Sequence, residues 1–238
     1  GGGFSNGSSQ ELKAYDGERL SRRGDVVVVS LNHRLNVLGY LHLAAYGSKY
    51  ASAGNVGMLD LVLGLEWVRD NIARFGGDPG NVTIFGQSGG GGKVSTLMAM
   101  PAAKGLFHRA AVQSASNNRV GGAEMGAKVA AATLAALGIT AARIDEIRSV
   151  PYEKLLAAAS GAMATLQPDT ERGVRRIVFG DRTGFVPVVD GTILPTHPFD
   201  PVAPSMTAHV PMLIGCCFNE NGHTLNRPAL EQMTDAEL

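Results

Sequence analysis

Cysteine is almost absent from this sequence. The two cysteines, Cys216 and Cys217, are adjacent, and adjacent cysteines cannot easily form a disulfide with each other. The sequence therefore predicts no disulfide framework and weakly favours a reducing compartment such as the cytoplasm. The six histidines show no metal-ligand spacing with the cysteines, so we expect no bound metal.

An excess of charge of either sign is also missing. The 21 basic and 21 acidic residues give a formal net charge of zero, and this balance does not support a polyanionic partner such as nucleic acid. Long apolar runs are absent too, and the longest is too short to cross a membrane. The sequence leaves the oligomeric state open.

Apolar residues and glycine are abundant. Hydrophobic residues make up 45% of the chain, which is ample for a core, and the 31 glycines indicate many tight turns or close backbone approaches. The length of 238 residues fits one α/β domain. We find no repeat and no domain boundary, so residues 1–238 are interpreted as part of a single domain.

The first half of the chain alternates between predicted strands and helices. The β-branched run at 25–31 is typical of a strand buried on both faces, and apolar spacings of three and four predict an amphipathic helix over 57–75. Buried strands are predicted at 81–85 and 110–114, with a helix between them. This order favours an α/β fold with a mainly parallel sheet and helices on both faces.

The second half is predicted to be mostly helical and to return to the sheet near its end. Alanine-rich helices are expected at 123–137 and 141–148, and a third helix at 151–163. A loop is predicted at 166–186, a short strand with a turn at 186–191, and a final buried strand at 210–216.

A serine framed by glycines follows the strand at 81–85. Gly86-Gln87-Ser88-Gly89-Gly90 fits the G-x-S-x-G pattern, in which small residues permit a strained turn that lifts the serine hydroxyl out of the sheet. A serine hydroxyl is a weak nucleophile, and its chemistry needs a base, an acid to orient the base, and donors for the developing oxyanion.

The sequence offers candidates for the donors and for the acid. The N–H of Gly89 follows Ser88 at a helix N-terminus, and the Gly1-Gly2-Gly3 run exposes further N–H groups. Glu220 lies just beyond the predicted strand at 210–216, and functional groups gather at the carboxyl ends of parallel strands. An acid after the serine also agrees with the Ser, acid, His order of one hydrolase class.

Motifs along nearly the whole chain resemble the type-B carboxylesterases, which include cholinesterases and bacterial para-nitrobenzyl esterases. Besides the Ser88 turn, the matching stretches are GGGF at 1–4, NHRL at 32–35, GNVGMLD at 54–60, WVRDNI at 67–72, FGGDP at 75–79, PVVDG at 187–191 and LIG at 213–215 leading to Glu220.

This resemblance implies an α/β-hydrolase fold and hydrolysis of small-molecule carboxylic esters through an acyl-serine, without a cofactor. It implies Ser88 as the nucleophile and Glu220 as the triad acid. Gly2, Gly3 and Gly89 then correspond to the oxyanion hole, and Ser114 corresponds to a family serine near the acid.

Two departures from the family pattern stand out. Gln87 replaces a glutamate that many relatives carry, and we expect this side chain to pack behind the turn with little effect. The family histidine lies well after the acid, whereas this sequence ends at Leu238, and His223 follows Glu220 too closely to be the expected base. We therefore expect an internal fragment that hydrolyses p-nitrophenyl esters barely above background, with an active parent protein.

Other interpretations compete with these assignments. The protein could be a non-catalytic adhesion or binding member of the same fold, Ser88 an ordinary serine at a helix start, and Glu220 a solvated loop carboxylate. Asp60 and Arg34 are better explained as an internal ion pair, and Asp190 as a turn-shaping residue. His33, His42, His108, His197 and His209 are each expected to be structural or exposed.

The run GQSGGGGK at 86–93 also resembles a phosphate-binding loop. That loop requires G-x-x-x-x-G-K-[ST], but Gln87 stands at the first glycine position and Val94 at the hydroxyl position. The sequence therefore excludes nucleotide binding here. A third expectation competes with both functions: a fragment that lacks the strand before Gly1 and those after residue 238 leaves central strand edges open, and it then risks aggregation and does not fold stably alone.

Overall fold

A computed structural model describes residues 1–115, 118–166, 184–218 and Glu220. The α-helices of this part of the chain are α1 (Glu18–Gly24), α2 (Asn36–Tyr40), α3 (Val56–Asn71), α4 (Gly89–Met98), α5 (Ala123–Leu137) and α6 (Tyr152–Leu166). The strands are β1 (Thr83–Gln87), β2 (Arg109–Gln113), β3 (Gly121–Gly122), β4 (Val188–Val189) and β5 (Met212–Gly215). Short 3₁₀ segments connect them, of which the longest is Ala141–Ser149.

The main sheet consists of three parallel strands in the order β1-β2-β5. Parallel pairing places the carboxyl ends of all three strands at one edge, so the residues that follow Gln87, Gln113 and Gly215 emerge side by side. A second, two-stranded parallel sheet pairs β3 with β4.

Helix α4 covers one face of the main sheet. A Cβ placed on Gly91 of α4 would lie 3.1 Å from a methyl group of Val112, so the helix backbone rests directly on β2. Ile84 and Val112 point to this side and are buried. On the other face, Phe85 and Leu213 occupy one cross-strand row and are 54% and 71% exposed within the described residues.

The remaining helices extend the same core. Helix α5 packs along α6 and against β3 and β4, while α3 packs against α2 and α4. Most of their buried apolar side chains belong to one cluster with those of the sheet. Among the described residues, no single helix is long and apolar enough to span a membrane, although α5 and Ala141–Ser149, bent by 76°, pass that test as a pair.

The structure confirms the central predictions and corrects two others. The helix over 57–75 is α3 followed by a 3₁₀ turn, and the predicted strands at 81–85 and 110–114 are β1 and β2. The prediction of a buried strand at 25–31 is wrong. That segment forms no ladder with any described strand, and Val26, Val27 and Val29 are exposed, because β-branched residues make a strand only where a neighbour completes its hydrogen bonds.

The prediction that the strand at 210–216 is buried is also wrong. Strand β5 is present, but it lies at the edge of the described sheet, and Leu213 and Ile214 are largely exposed. An apolar sequence identifies a strand without showing how many of its faces are covered in a given chain. The predicted loop at 166–186 lies mostly outside the described residues.

Asn55 joins the start of α3 to β4. It is 1% exposed, its Nδ2 donates to Val188 O (2.8 Å) and Asp190 Oδ2 (2.9 Å), and its Oδ1 accepts from Val188 N (3.0 Å). We expect Asn55→Ala to lower the free energy of unfolding by roughly 2–4 kcal/mol, because buried partners are left unsatisfied. Urea unfolding measures this loss.

A matched control is Asn71→Ala. Asn71 is half-exposed and donates one hydrogen bond within its own helix end, to Trp67 O, so we expect a change below about 0.5 kcal/mol. Equal effects of the two substitutions would contradict the structural role assigned to Asn55.

Candidate active site

Ser88 occupies a strained turn between β1 and α4. Its φ of 56° and ψ of −122° lie in a region that residues with a Cβ rarely adopt, at a cost on the order of 1–3 kcal/mol. The backbone holds it from both sides, because Ser88 N donates to Gln113 O (2.9 Å) and Ser88 O accepts from Gly92 N (3.0 Å). The side chain is exposed. This is the geometry that the G-x-S-x-G pattern predicts.

The turn is closed by direct backbone packing of Gly86 on Gly90. A Cβ on Gly86 would lie 2.3 Å from the carbonyl carbon of Gly90 and 2.5 Å from its oxygen, distances that no side chain tolerates. Strand β1 and helix α4 can therefore approach this closely only when position 86 is glycine.

The Gly1–Gly3 segment forms a compact loop beside this turn. Gly2 and Gly3 have φ values of 75° and 63°, and the carbonyl of Gly2 accepts from the N–H groups of Ser5 and Asn6 at 3.2 Å. A Cβ on Gly2 would lie 2.1 Å from Asn6 O. Glycine is thus required at position 2 by both conformation and space.

Phe4 anchors this loop in the core. It is 2% exposed and its ring contacts that of Tyr40 edge to face at 5.4 Å, while its carbonyl accepts from Asn36 N at 2.8 Å. The loop therefore has one buried side-chain anchor and one backbone anchor at its C-terminal end.

The loop meets the serine turn at Gly3 and Gly89. A Cβ on Gly89 would lie 2.2 Å from the carbonyl oxygen of Gly3 and 2.5 Å from its nitrogen, so the two backbones are in contact. Neither Gly2 N–H nor Gly3 N–H donates to any described residue, and Gly89 N–H belongs to the first turn of α4, where N–H groups lack a helical partner. The glycine loop thus meets the positive N-terminal end of α4 directly after Ser88, and the N–H groups of Gly2, Gly3 and Gly89 have no described backbone acceptor.

Ser114 and Glu220 follow the other two strands of the sheet. Ser114 comes directly after β2, has a φ of 52°, and donates its N–H to Gly215 O at 2.7 Å. Glu220 comes after β5, is exposed, and its Oε1 accepts from Cys217 N at 3.4 Å. The structure therefore places the three strand ends next to one another but records no direct contact of Ser88 with either residue.

No described histidine contacts Ser88 or Glu220. His33 Nδ1 donates to Arg34 O, and burial lowers the pKa of His33. His108 accepts from Val82 N and His197 accepts from Val120 N, which agrees with structural roles. His223 lies outside the described residues.

Lys93 is a component that the sequence analysis considered only in excluding a phosphate loop. It is 8% exposed, and its ammonium donates to Gly3 O (2.5 Å) and Gly89 O (3.3 Å) and lies 4.7 Å from the centre of the Phe4 ring. Burial lowers its pKa to about 8. The available signal was a lysine one helical turn after Gly89 within an otherwise small and apolar helix.

Arg34, Asp60 and Asp190 make contacts that agree with structural roles. Arg34 contacts Asp60 through both Nε and Nη2, at 2.9 and 2.6 Å, which confirms an ion pair, but the Arg34 side chain is 53% exposed and the pair is not internal as predicted. Burial raises the pKa of Asp60, but the Arg34 hydrogen bonds outweigh it and the pKa lies below its usual value. Asp190 Oδ1 accepts from the N–H groups of Thr192, Ile193 and Leu194, which confirms the turn.

A cavity of about 330 Å³ lies elsewhere on the described surface. None of the predicted site residues lines it, and its walls are formed by His42, Ala44, Ala51, Ser52, Ala123, Val189, Asp190, Thr192 and Ile193. The Ser88 site is therefore not enclosed by this cavity.

Comparison with known proteins decides the family. A family model described as the carboxylesterase family matches residues 1–237, which is nearly the entire sequence. The chain belongs to the carboxylesterase family. The para-nitrobenzyl esterase of Bacillus subtilis (strain 168) is 39% identical over 220 residues, and the acetylcholinesterase of Gallus gallus is 40% identical over 202 residues.

Solved carboxylesterase structures share the fold of this family member. A Geobacillus stearothermophilus carboxylesterase is 39% identical and superposes with a TM-score of 0.80. The superposition covers 100% of this chain and 48% of the Geobacillus chain. The predicted α/β-hydrolase fold is thereby confirmed. The match to the Bacillus esterase includes 92% of this chain but only 42% of that protein, so this chain spans less than half of that relative's length.

Proposed function

We propose that this chain supplies the nucleophile, acid and oxyanion donors of a serine esterase that hydrolyses small-molecule carboxylic esters. The observation that carries the proposal is the contact of Gly3 with Gly89 beside the strained Ser88, which gathers unengaged N–H donors next to an exposed hydroxyl. Family membership supports ester hydrolysis as the reaction class.

In the proposed reaction, a base removes the proton of Ser88 Oγ as the oxygen attacks the ester carbonyl. The carbonyl oxygen becomes an oxyanion that accepts hydrogen bonds from the N–H groups of Gly2, Gly3 and Gly89. Collapse of this intermediate expels the alcohol, which takes the proton from the base, and leaves an acyl-serine. Water then attacks the acyl-serine by the same steps, releasing the acid and restoring Ser88.

The donors are the part of this machinery that the backbone preorganises most fully. Loss of a single oxyanion donor costs about 10²–10³ in turnover in a well-studied protease, so three donors account for a large share of the rate enhancement. Helix α4 adds its positive end at the same place, which favours the developing negative charge.

Glu220 is proposed as the acid that orients the base. It follows β5 at the carboxyl edge of the sheet, the edge from which Ser88 also emerges. Ser114 lies between them, at the end of β2, and is proposed to support the acid through its backbone link to Gly215. No described residue is proposed as the base.

The experiment that tests the proposal is covalent labelling by a fluorophosphonate, which reacts with activated serines. We expect the natural polypeptide that contains residues 1–238 to form an adduct on Ser88, located by peptide mass spectrometry, and to hydrolyse p-nitrophenyl acetate. Absence of an adduct from that active preparation would contradict the assignment of Ser88.

A non-catalytic binding role in the same fold is the alternative, and the lack of a contact between Ser88 and any described histidine does not discriminate between the two functions. The two functions separate cleanly in the labelling experiment. A binding protein of this fold would remain unlabelled and would not turn over an ester panel, whatever its affinity for a partner.

The isolated 238-residue chain is expected to be nearly inactive. Without an imidazole on Ser88, turnover should fall by roughly 10⁶, the effect of removing a triad histidine in a well-studied protease. Stopped-flow assays of p-nitrophenyl acetate with matched concentrations of the chain and the natural polypeptide measure this ratio. Comparable activity of both would place the base within the chain, with His223 as the residue to substitute next.

A further inference from the structure

Lys93 is a charged residue that contacts both halves of the proposed oxyanion hole. Its ammonium donates to the carbonyl of Gly3 in one half and to the carbonyl of Gly89 in the other. The same ammonium lies over the ring of Phe4, the residue that anchors the glycine loop in the core. One side chain therefore contacts the loop, its anchor and the first turn of α4.

This lysine is buried without an acidic partner among the described residues. Its partners among the described residues are the two carbonyl oxygens and the aromatic face, and no described carboxylate forms an ion pair with it. Burial of an unpaired cation is unfavourable, so a neutral apolar side chain would suit the folding of α4 better. An explanation in terms of packing alone is therefore insufficient.

The Lys93 ammonium offsets the electrostatic repulsion between two carbonyl groups. Gly3 and Gly89 approach so closely that the carbonyl oxygen of Gly3 lies against the backbone of Gly89, and both segments present carbonyl oxygens to the same space. Two carbonyl dipoles that converge repel each other, and a cation placed between them turns this repulsion into two charge-assisted hydrogen bonds.

We propose that Lys93 is a positioning residue that fastens the Gly2–Gly3 loop to the first turn of α4, so that the N–H groups of Gly2, Gly3 and Gly89 point to one oxyanion. This inference rests on the proposed function and assigns to Lys93 no contact with the substrate. Lys93 should therefore stabilise the transition state, where the three donors act together, and should change the ground-state binding of substrate little.

The first experiment compares Lys93→Met with Lys104→Met in the natural polypeptide. Methionine preserves most of the volume of lysine and removes the charge, and Lys104 is an exposed lysine shortly after the same helix. For Lys93→Met we expect kcat for p-nitrophenyl acetate to fall roughly 10- to 100-fold with KM changed less than about threefold. Lys104→Met should match the wild type.

A second measurement uses a trifluoromethyl ketone, which forms a tetrahedral adduct with an activated serine. Its affinity should fall by the same factor as kcat in Lys93→Met, because both depend on the oxyanion donors. An unchanged kcat and an unchanged inhibition constant in a folded Lys93→Met protein would overturn the positioning role. So would a loss of kcat that leaves inhibitor affinity intact.

Two further outcomes keep the test decisive. If Lys93→Met does not fold, Lys93→Arg and Lys93→Gln replace it: the cationic variant should retain at least about tenfold more activity, and equal activities would overturn the proposal. If the wild type forms no Ser88 adduct, the proposed function fails first. Amide hydrogen exchange then tests the positioning role separately. Residues 1–9 should exchange more slowly in the wild type than in Lys93→Met, while α5 and α6 exchange equally in both proteins.

Discussion

Replacing Ser88 with alanine is expected to lower ester turnover by about 10⁶-fold in the natural polypeptide, the loss found when the nucleophile of a well-studied serine protease is removed. The strained turn, the helix N-terminus and the glycine loop all remain in the variant, but no oxygen is left to form the acyl-enzyme. Residual hydrolysis should reflect only the oxyanion donors and substrate binding. Initial rates measure ester turnover, and the burst of p-nitrophenol measures formation of the acyl-enzyme.

The matched control for this substitution is Ser149→Ala. Ser149 is exposed at the end of a 3₁₀ segment, so the same loss of a hydroxyl should leave turnover unchanged. If Ser88→Ala retained the burst and more than about one tenth of the turnover, another residue would be the nucleophile.

Replacing Gly86 with alanine should have the largest effect on stability of the substitutions considered for the site. The added Cβ would meet three backbone atoms of Gly90 at 2.3–2.8 Å, and backbone cannot rotate away as a flexible side chain can. The junction of β1 and α4 must therefore open. We expect a loss of about 3 kcal/mol or more in the free energy of unfolding, together with loss of Ser88 labelling.

Gly161→Ala is the control for Gly86→Ala, because it adds the same methyl group in open space. Gly161 lies within α6, and a Cβ there would meet nothing within 4 Å. Alanine should stabilise that helix by roughly 0.5–1 kcal/mol. Urea unfolding of both variants gives the comparison, and a neutral Gly86→Ala would show that the turn does not require this close packing.

The local elements were largely predictable because their signals are local. Helix α5 has the predicted bounds, and β1 and β2 lie within about two residues of theirs, since apolar spacing and flanking glycines act over short stretches of chain. The prediction of a buried strand at 25–31 is wrong because strand formation does not depend on local signals alone. A strand is completed by hydrogen bonds to a distant neighbour, and its own residues do not reveal whether that neighbour is present.

By itself the sequence determined the family, the strand–turn–helix unit and the strained position of Ser88, because glycine sterics at the turn involve residues only a few positions apart. Only the tertiary structure decided how the loop of Gly2 and Gly3 meets Gly89 and what Lys93 does. The hydrogen bond from Lys93 to Gly3 joins residues 90 positions apart. Such a contact depends on how the sheet, α4 and the loop anchor pack together, which no local pattern encodes.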